Sequence, residues 1–502
     1  MLGLTGAGRC LIAVGLALTG CAVGPDFERP AAPDVEGYSR EPLAAKTAPA
    51  EVKGGEEQRF VKDLDIPGQW WTLFHSEALN ALIEQALRDN PTLPAAEAAL
   101  RLAWENVYAA EGAFFPTAVA SYSPSRNKTA TGVTFTAASS GKPWFTLHTA
   151  QVVVTYAPDV FGGTRRQVEA LMATAEFQRF QLEAAYLTLT SNIVAAAVLE
   201  ASLRGQIAAT EEIIKIQTQS LGILRKQFEL GQVAGADVAA IEATLAQAEA
   251  TLPPLRKQLA VQRDLLTALT GRFPSQEPSE KFELASLQLP IDLPVSLPSK
   301  LVEQRPDVQS AQAQLHAASA SIGVAVAAML PQFTLTANGG TVANQVNQLF
   351  ITPGTAFWTV AGNVAQTLFD AGTLLHKKRA AEAAFDQAAE MYRSTVISAL
   401  QNVADALHAV QSDAETLKAA YAAERAAFKS LEIARHQLQL GAIGYLSLLT
   451  AENTYDTALL ALVQAQAARY ADTAALFQAL GGGWWNREDV PPAKTWDIQF
   501  IP

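Results

Sequence analysis

Residues 90–121 read NPTLPAAEAALRLAWENVYAAEGAFFPTAVAS, and residues 305–336 read RPDVQSAQAQLHAASASIGVAVAAMLPQFTLT. Pro91 and Pro116 of the first stretch match Pro306 and Pro331 of the second at the same shift of 215 residues. Three later motifs recur in the same order, namely FGGT (161–164) with FDAGT (369–373), LG (230–231) with LG (440–441), and ALTG (268–271) with ALGG (479–482). Landmarks that recur in one order at nearly constant spacing indicate that the chain contains an internal duplication.

Both halves predict the same succession of elements. Each begins with a helix that ends before a proline, about 76–113 and 299–329. A β-hairpin (117–157 and 332–368), a very long helix (about 165–229 and 374–439) and, after a Gly-containing turn, a second helix (about 235–270 and 445–479) follow. The predicted domains are a signal peptide (1–20), an N-terminal segment (21–72), repeat 1 (73–273), a proline-rich linker (274–298), repeat 2 (299–484) and a C-terminal tail (485–502).

The long helices carry apolar residues in a seven-residue repeat. In repeat 1 the two lines are Leu182, Leu189, Ala196, Leu203 and Leu224, and Tyr186, Ile193, Ile207, Ile214, Leu221 and Phe228. In repeat 2 they are Val396, Val403, Val410, Leu417, Leu431 and Leu438, and Phe385, Tyr392, Ala399, Ala406, Ala420, Ala427 and Ala434. This alternation is typical of a coiled coil, although Glu200, Thr210 and Gln217 interrupt the first seam. A helix of about 65 residues is roughly 100 Å long, which no compact globular core requires.

The predicted strands are the candidate membrane part of the chain. Downstream of the signal there is no uninterrupted run of 18 apolar residues, so we predict no transmembrane helix. Phe333, Leu335 and Ala337 alternate with polar residues, as in a strand with one lipid-facing side, although a soluble hairpin with one packed face would show the same pattern. Two hairpins supply four strands, whereas single-chain membrane barrels have at least eight. A barrel therefore requires several copies of the chain, in a number that this argument does not fix.

The first 21 residues, MLGLTGAGRCLIAVGLALTGC, have the order of a secretory signal: a weakly basic start, a short apolar stretch and small residues. Leu18-Thr19-Gly20-Cys21 resembles a bacterial lipobox, which implies that Cys21 is cut free and acylated. The alternative is an ordinary signal peptide with a chance cysteine. Ala22 follows Cys21, and the absence of aspartate at that position favours the outer over the inner membrane.

Composition argues against several other classes of function. The net charge is −12 and no extended basic patch exists, so we expect no binding to nucleic acid. Both cysteines lie within the first 21 residues and the six histidines are scattered, so we predict no metal site and no cofactor beyond the lipid on Cys21. GGTRR (162–166) lacks the lysine-Ser/Thr ending of a phosphate-binding loop and is interpreted as a strand-to-helix turn. The chain is not expected to be an enzyme.

The chain resembles the TolC/OprM-type outer-membrane factors of tripartite efflux systems, in the NodT-like lipoprotein branch. The residues that carry the resemblance are LTGC followed by VGPDF (18–27), Trp70-Trp71, RPDV (305–308), FDAG (369–372) and YLSLL (445–449). The resemblance implies a homotrimer with a 12-stranded barrel, a periplasmic α-barrel of coiled-coil helices and a mixed α/β equatorial belt. It also implies a lipid-anchored outer-membrane location, a periplasmic membrane-fusion adaptor and an inner-membrane transporter of the resistance–nodulation–division (RND) class. The alternatives are a lipid-anchored coiled-coil scaffold without a pore and a type I secretion channel.

The same resemblance implies that the two helix–helix turns close the resting channel and meet the adaptor. The turn residues are Gly231, Gly235 and Asp237 in repeat 1, and Gly441, Ile443, Gly444 and Tyr445 in repeat 2. Members of the family often carry an aspartate two residues after the second-turn glycine, where this chain has Ile443. The constriction is therefore expected to be apolar, or to take its charge from Asp237.

Overall fold

The computed structural model describes residues 22–35, 37–40, 42–128, 144–351 and 353–490. Repeat 1 consists of α1 (Glu77–Asp89), α2 (Thr92–Glu111), β2 (Thr117–Lys128), β3 (Trp144–Tyr156), α3 (Gly163–Glu229) and α4 (Gly235–Leu269). Repeat 2 consists of α5 (Pro298–Gln304), α6 (Pro306–Ala327), β5 (Gln332–Ala343), β6 (Ala356–Ala365), α7 (Thr373–Gln439) and α8 (Tyr445–Ala479). Strands β1 (Arg59–Lys62) and β4 (Asp292–Val295) lie before each repeat. The described elements therefore follow the predicted order twice.

The first helix of each repeat is broken in two, so the prediction of single helices over 76–113 and 299–329 is wrong. The breaks fall at Asn90 and Arg305, which are extended because the residue before a proline is excluded from the helical region. The Asn90 side-chain amide donates to the Leu269 carbonyl at 2.8 Å, and the Arg305 guanidinium donates to the Ala479 carbonyl at 3.0 Å. Each break thus ties the start of a repeat to the last residue of its final helix.

Four strands form one antiparallel sheet in the order β2-β3-β5-β6. Thr117 pairs with Thr155, Thr155 with Thr336, and Gln332 with Ala365. Strand β6 ends at Ala365, three residues before the end predicted from the sequence. At the next residue, the Gln366 side-chain amide donates a hydrogen bond to the Met329 carbonyl at 3.1 Å. Within the described chain, the outer edges of β2 and β6 have no partner strand.

The two long helices, α3 and α7, each contain 67 residues, which corresponds to a length of about 100 Å. Each begins after a glycine in the left-handed region, Gly162 with φ 77° and Gly372 with φ 87°. The predicted coiled-coil seam is largely buried: Leu189, Ile193, Ala196, Leu203, Leu221 and Leu224 in α3, and Tyr392, Val396, Ala399, Val403, Val410, Leu417, Ala427 and Leu431 in α7. Phe228 is an exception, because it lies over Gly235 in the turn and is half exposed.

Helix α3 holds the fold together because it packs against α2, α4, α6 and α8. One 18-residue stretch of this helix is long and apolar enough to qualify as a membrane span, in contrast to the prediction of no such helix. Half of that stretch is buried against the neighbouring helices, so side-chain packing accounts for its apolar character.

The main hydrophobic core lies at mid-length of α3, where the helices meet the two-stranded sheet of β1 and β4. Trp70, Trp71 and Phe74 are buried there, and the Trp70 ring stacks on Phe477 with 5.5 Å between ring centroids. Strands β1 and β4 pair in parallel beside this core, so the N-terminal segment and the inter-repeat linker together form a mixed α/β region. This is the position of the predicted equatorial belt.

Candidate functional site

The two predicted tip turns have the same backbone. Gly231 and Gly441 follow the C-terminal residues of α3 and α7 with φ values of 72° and 71°. The Gly231 amide donates to Phe228 at 2.9 Å and the next amide to Gln227 at 2.8 Å. The equivalent bonds from Gly441 and the residue after it measure 3.0 and 2.9 Å. This pair of hydrogen bonds is a Schellman cap, which needs a residue in the left-handed region. Helix termination therefore requires the two glycines independently of any role in gating.

The other predicted gate residues also have local structural roles. The Asp237 carboxylate accepts a hydrogen bond from the Ala234 amide at 3.2 Å and so caps the start of α4. Ile443 is half buried and packs, as Val233 does in the first turn, against one tip cluster. We define the tip cluster as Leu221, Leu224, Ile241, Leu431, Ala434, Tyr445, Leu448 and Leu449. Because its members come from both repeats, the two turns form one packed body.

At the opposite end of α3, the N-terminal segment is clamped to the start of the helix. The Val23 amide donates to the Phe161 carbonyl at 3.0 Å. The Arg166 side chain, only 5% exposed, donates to the Val23 carbonyl at 3.2 Å and pairs with Asp26 at 2.6 Å and Glu169 at 2.8 Å. The segment that follows the predicted lipobox therefore has a fixed position beside the sheet, although Cys21 itself lies outside the described residues.

The rest of the VGPDF motif completes this clamp. The Phe27 ring stacks on His316 with 4.3 Å between centroids and 13° between planes, and His316 Nε2 lies 2.9 Å from the Glu169 carboxylate. Gly24 and Gly323 are in backbone contact, since a Cβ on Gly24 would lie 2.4 Å from the Gly323 Cα. A side chain at either glycine would therefore push the segment away from α6.

The four-stranded sheet exposes apolar side chains on one face. Trp358 is 79% exposed, and Val360 and Val364 on the same face of β6 are also exposed, whereas Thr359 and Asn363 lie on the opposite face. Tyr122 of β2 and Trp144 of β3 are also more than half exposed. This is the pattern of a sheet whose outer face meets lipid.

Comparison with known proteins identifies the family. The chain matches the family described as outer membrane efflux protein over residues 82–272 and 297–482. The chain belongs to the outer membrane efflux protein family.

Relatives and solved structures agree with this assignment. The chain is 27% identical over 472 residues to the probable efflux pump outer membrane protein TtgC of Pseudomonas putida, and this alignment covers 94% of each protein. It is 28% identical over 478 residues to the cation efflux system protein CusC of Escherichia coli, and this alignment covers 94% of the chain and 97% of CusC. The solved outer-membrane channel OprN superposes with a TM-score of 0.82 at 25% identity, covering 92% of this chain and 100% of OprN.

Family membership shows which end of this outer membrane efflux protein lies in the membrane. It is an outer-membrane channel component, with its strands in the outer membrane and its long helices in the periplasm. The clamp at Val23–Phe27 therefore lies at the membrane end, and the Gly231 and Gly441 turns lie at the distal periplasmic end. Among the described residues, no group of three or more histidine, cysteine, aspartate or glutamate side chains could hold a metal ion.

The structure also reveals buried carboxylates near the periplasmic tip that sequence analysis missed. Glu452 of α8 is 2% exposed and lies 4.0 Å from Arg435 of α7. One turn further along α8, Asp456 accepts a hydrogen bond from the Gln217 amide of α3 at 3.1 Å. Burial, together with the charge of Glu452, raises the pKa of Asp456 to about 7. The only sequence signal was Gln217, which interrupts the α3 seam.

A second acidic pair, Asp413 of α7 and Asp472 of α8, lies closer to the membrane end of these helices. Burial raises the pKa of Asp413 to about 7, and the neighbouring Asp472 carboxyl, through a hydrogen bond and its charge, raises it as well. Arg469 on the same face of α8 is fully buried and donates to the Thr47 hydroxyl at 3.0 Å. Both acidic pairs join long helices, so their protonation bears on how firmly those helices stay together.

Proposed function

We propose that the chain forms a homotrimeric exit duct of a tripartite efflux pump. The duct passively receives small toxic molecules, such as drugs, from a periplasmic membrane-fusion adaptor and an inner-membrane RND-type transporter. The observation that carries this proposal is a four-stranded sheet whose two outer edges have no partner strand among the described residues, mounted on helices about 100 Å long. A pore-free coiled-coil scaffold would leave that sheet unexplained.

The unpaired edges require further copies of the chain, because open sheet edges are not tolerated in lipid. Four strands per copy fall short of the eight that the smallest membrane barrels have. Three copies, the number that the family resemblance implies, would supply twelve strands. The helices would then extend below this barrel as a hollow periplasmic α-barrel.

The internal duplication predicts how neighbouring copies join. Strand β3 pairs with β5, with Thr155 opposite Thr336. Strand β6 is the repeat-2 counterpart of β3, and the shift between them is 210 residues, the same as between Gly162 and Gly372. Strand β2 is the repeat-1 counterpart of β5, and the shift between them is 215 residues. If the seam between copies repeats the seam within one copy, β6 pairs with β2 of the neighbouring copy, with Ala365 opposite Ser121.

The lipid on Cys21 is part of the proposal. The clamp that holds Val23 at the Phe161 carbonyl lies between the end of β3 and the start of α3. A diacylglycerol and a palmitoyl chain on the residue two positions earlier would then be within reach of the leaflet that faces the periplasm. Two or more acyl chains give stable anchoring, whereas a single chain does not.

We also propose that the resting channel closes at the Gly231 and Gly441 turns and that the adaptor docks there. This proposal is supported by the position of the turns at the far end of the long helices and by the cluster that packs both turns together. Ile443 and Asp237 remain the candidates for the constriction itself. The buried Glu452–Asp456 pair would help to hold α8 against α3 in the closed arrangement.

Planar-bilayer recording of the detergent-purified full-length protein tests this function. We expect discrete conductance steps from an oligomer, and larger steps when the tip is loosened by Asp456→Ala and Glu452→Ala together. Exposed Asp386 of α7 provides the matched control, Asp386→Ala, which should leave the steps unchanged. A monomer that inserts no pores under any of these conditions would contradict the proposal.

A further inference from the structure

The junction between β6 and α7 carries an unusual pair of side chains. Leu368 is 92% exposed and Phe369 is 89% exposed, the highest values among the large apolar side chains that the structure describes. The pair follows the last membrane strand and precedes the first periplasmic turn of α7. It therefore lies at the level where the membrane should end.

The equivalent junction of repeat 1 is covered by the chain itself. There the Phe161 carbonyl accepts the Val23 amide at 3.0 Å, and the Phe161 ring lies 6.2 Å from Phe333. The two arginines that open α3 are also neutralised, because Arg165 pairs with Asp159 at 3.2 Å and Arg166 with two carboxylates. At the repeat-1 junction Phe161 is thus partly covered, and both arginines are paired with carboxylates.

Repeat 2 instead opens its long helix with the basic run His376-Lys377-Lys378-Arg379. Lys378 pairs with Glu382 at 3.0 Å, whereas no carboxylate of the described chain lies within 4.0 Å of Lys377 or Arg379. Asp370 does not compensate for this charge directly, because its carboxylate accepts the Gly372 and Leu374 amides at 2.9 and 2.8 Å as a helix cap. Lys377 and Arg379 are both exposed in the first two turns of the helix, so their positive charge is accessible at this level.

We propose that Leu368, Phe369 and the basic run form an interfacial anchor for anionic phospholipid. The apolar pair enters the boundary between headgroups and acyl chains in the leaflet that faces the periplasm. Lys377 and Arg379, within about two turns of the pair, bind the phosphates of anionic headgroups, to which basic residues at a membrane surface are attracted. The inference rests on the proposed function, since it requires that the sheet spans the outer membrane.

This anchor gives the two repeats different attachments to the same leaflet. Repeat 1 is held through the N-terminal segment that follows Cys21, whereas repeat 2 binds lipid directly. The difference arises because the duplication copied the junction, but only one N-terminal segment exists to cover it.

Spin labelling at Phe369→Cys identifies what covers the junction. The full-length protein is reconstituted in vesicles of phosphatidylethanolamine and phosphatidylglycerol, and accessibility of the label to oxygen and to a polar nickel chelate is measured. We expect high access to oxygen and low access to the chelate, with the reverse for a label at Ala442→Cys in the periplasmic turn. A label closed to both would show that a second copy covers the site, and a label open to the chelate would place it in water; either result overturns the proposal.

The charge requirement is tested with two double variants on the same helix. Lys377→Gln with Arg379→Gln removes the basic pair, and Lys418→Gln with Arg425→Gln removes two exposed charges roughly 60 Å further down α7. Native mass spectrometry of protein from vesicles with equal amounts of the two lipids measures the ratio of bound phosphatidylglycerol to phosphatidylethanolamine. We expect a several-fold fall for the first variant and none for the control, with unchanged conductance in both. An unchanged lipid ratio in conducting channels overturns the anchor alone, whereas loss of conductance in the unmodified protein overturns the proposed function.

Discussion

The seam between neighbouring copies can be tested by disulfide cross-linking. The duplication places Asn363 of β6 opposite Ser123 of β2 in the neighbouring copy, by the same shifts that place Ala365 opposite Ser121. Directly opposed residues of antiparallel strands have Cβ atoms about 4.5–5.5 Å apart, which a disulfide can bridge with a small adjustment. Within one chain the same two residues lie on the two opposite edge strands of the four-stranded sheet, so three strand spacings alone put them at least about 14 Å apart. A cross-link can therefore form only between copies.

The experiment introduces Ser123→Cys and Asn363→Cys into the full-length chain and oxidises it in membranes. Covalent dimers and trimers should appear on a denaturing gel. Opposed residues of antiparallel strands alternate between hydrogen-bonded and non-hydrogen-bonded pairs. The adjacent pair, Tyr122→Cys with Val364→Cys, is therefore tested as well, in case only one of these two kinds of pair has a geometry that a disulfide can bridge. The control, Ser123→Cys with Thr359→Cys, places the thiols four residues out of register, about 14 Å apart, and should remain monomeric. Cross-linking in the control but in neither matched pair would refute the register.

Three further predictions concern the clamp, the turns and the buried carboxylates. Arg166→Ala removes two ion pairs and the bond to Val23, but the Asp26 carboxylate is exposed, so we expect about 1–2 kcal/mol lower stability and faster proteolysis at residues 22–27, whereas similar cleavage of variant and parent would contradict the clamp. Gly441→Ala forces a left-handed alanine and should cost about 1–2 kcal/mol, whereas Gly444→Ala, at φ −81°, should cost little; equal melting temperatures would show that the cap is not needed. The pKa of Asp456 is raised in the folded protein to about 7, so its contribution to stability is complete below about pH 4 and is lost as the pH rises through 7. Hydrogen exchange of residues 445–460, corrected for intrinsic rates, should therefore increase between pH 6 and pH 8, and Asp456→Asn should abolish that increase whereas Asp386→Asn should not.

The sequence was informative where a pattern repeats or a residue type has one dominant use. The prolines and glycines that recur in both halves predicted the order of elements, the strand pairs and the two turns. The seven-residue repeat predicted which faces of α3 and α7 are buried, and the structure confirms most of these positions. The helix breaks at Asn90 and Arg305 were missed, although each precedes a proline, because the flanking sequence continues to favour helix.

Residues that act through distant contacts left no readable signal. Arg166 contacts Asp26 across 140 residues, and Gln217 contacts Asp456 across 239. The VGPDF motif was interpreted only as a family resemblance, whereas the structure shows that it is a clamp for the chain end. The role of Ile443 in a constriction stays a prediction, and the structure adds that Ile443 packs against the tip cluster, as Val233 does.

The central claim is that three duplicated chains together close one outer-membrane channel. Native mass spectrometry of the detergent-extracted full-length protein tests this claim most directly, because it counts the chains in each particle. We expect three times the mass of the mature, lipid-modified chain, in the same preparation that conducts in bilayers. A conducting particle of any other number of chains would contradict the claim.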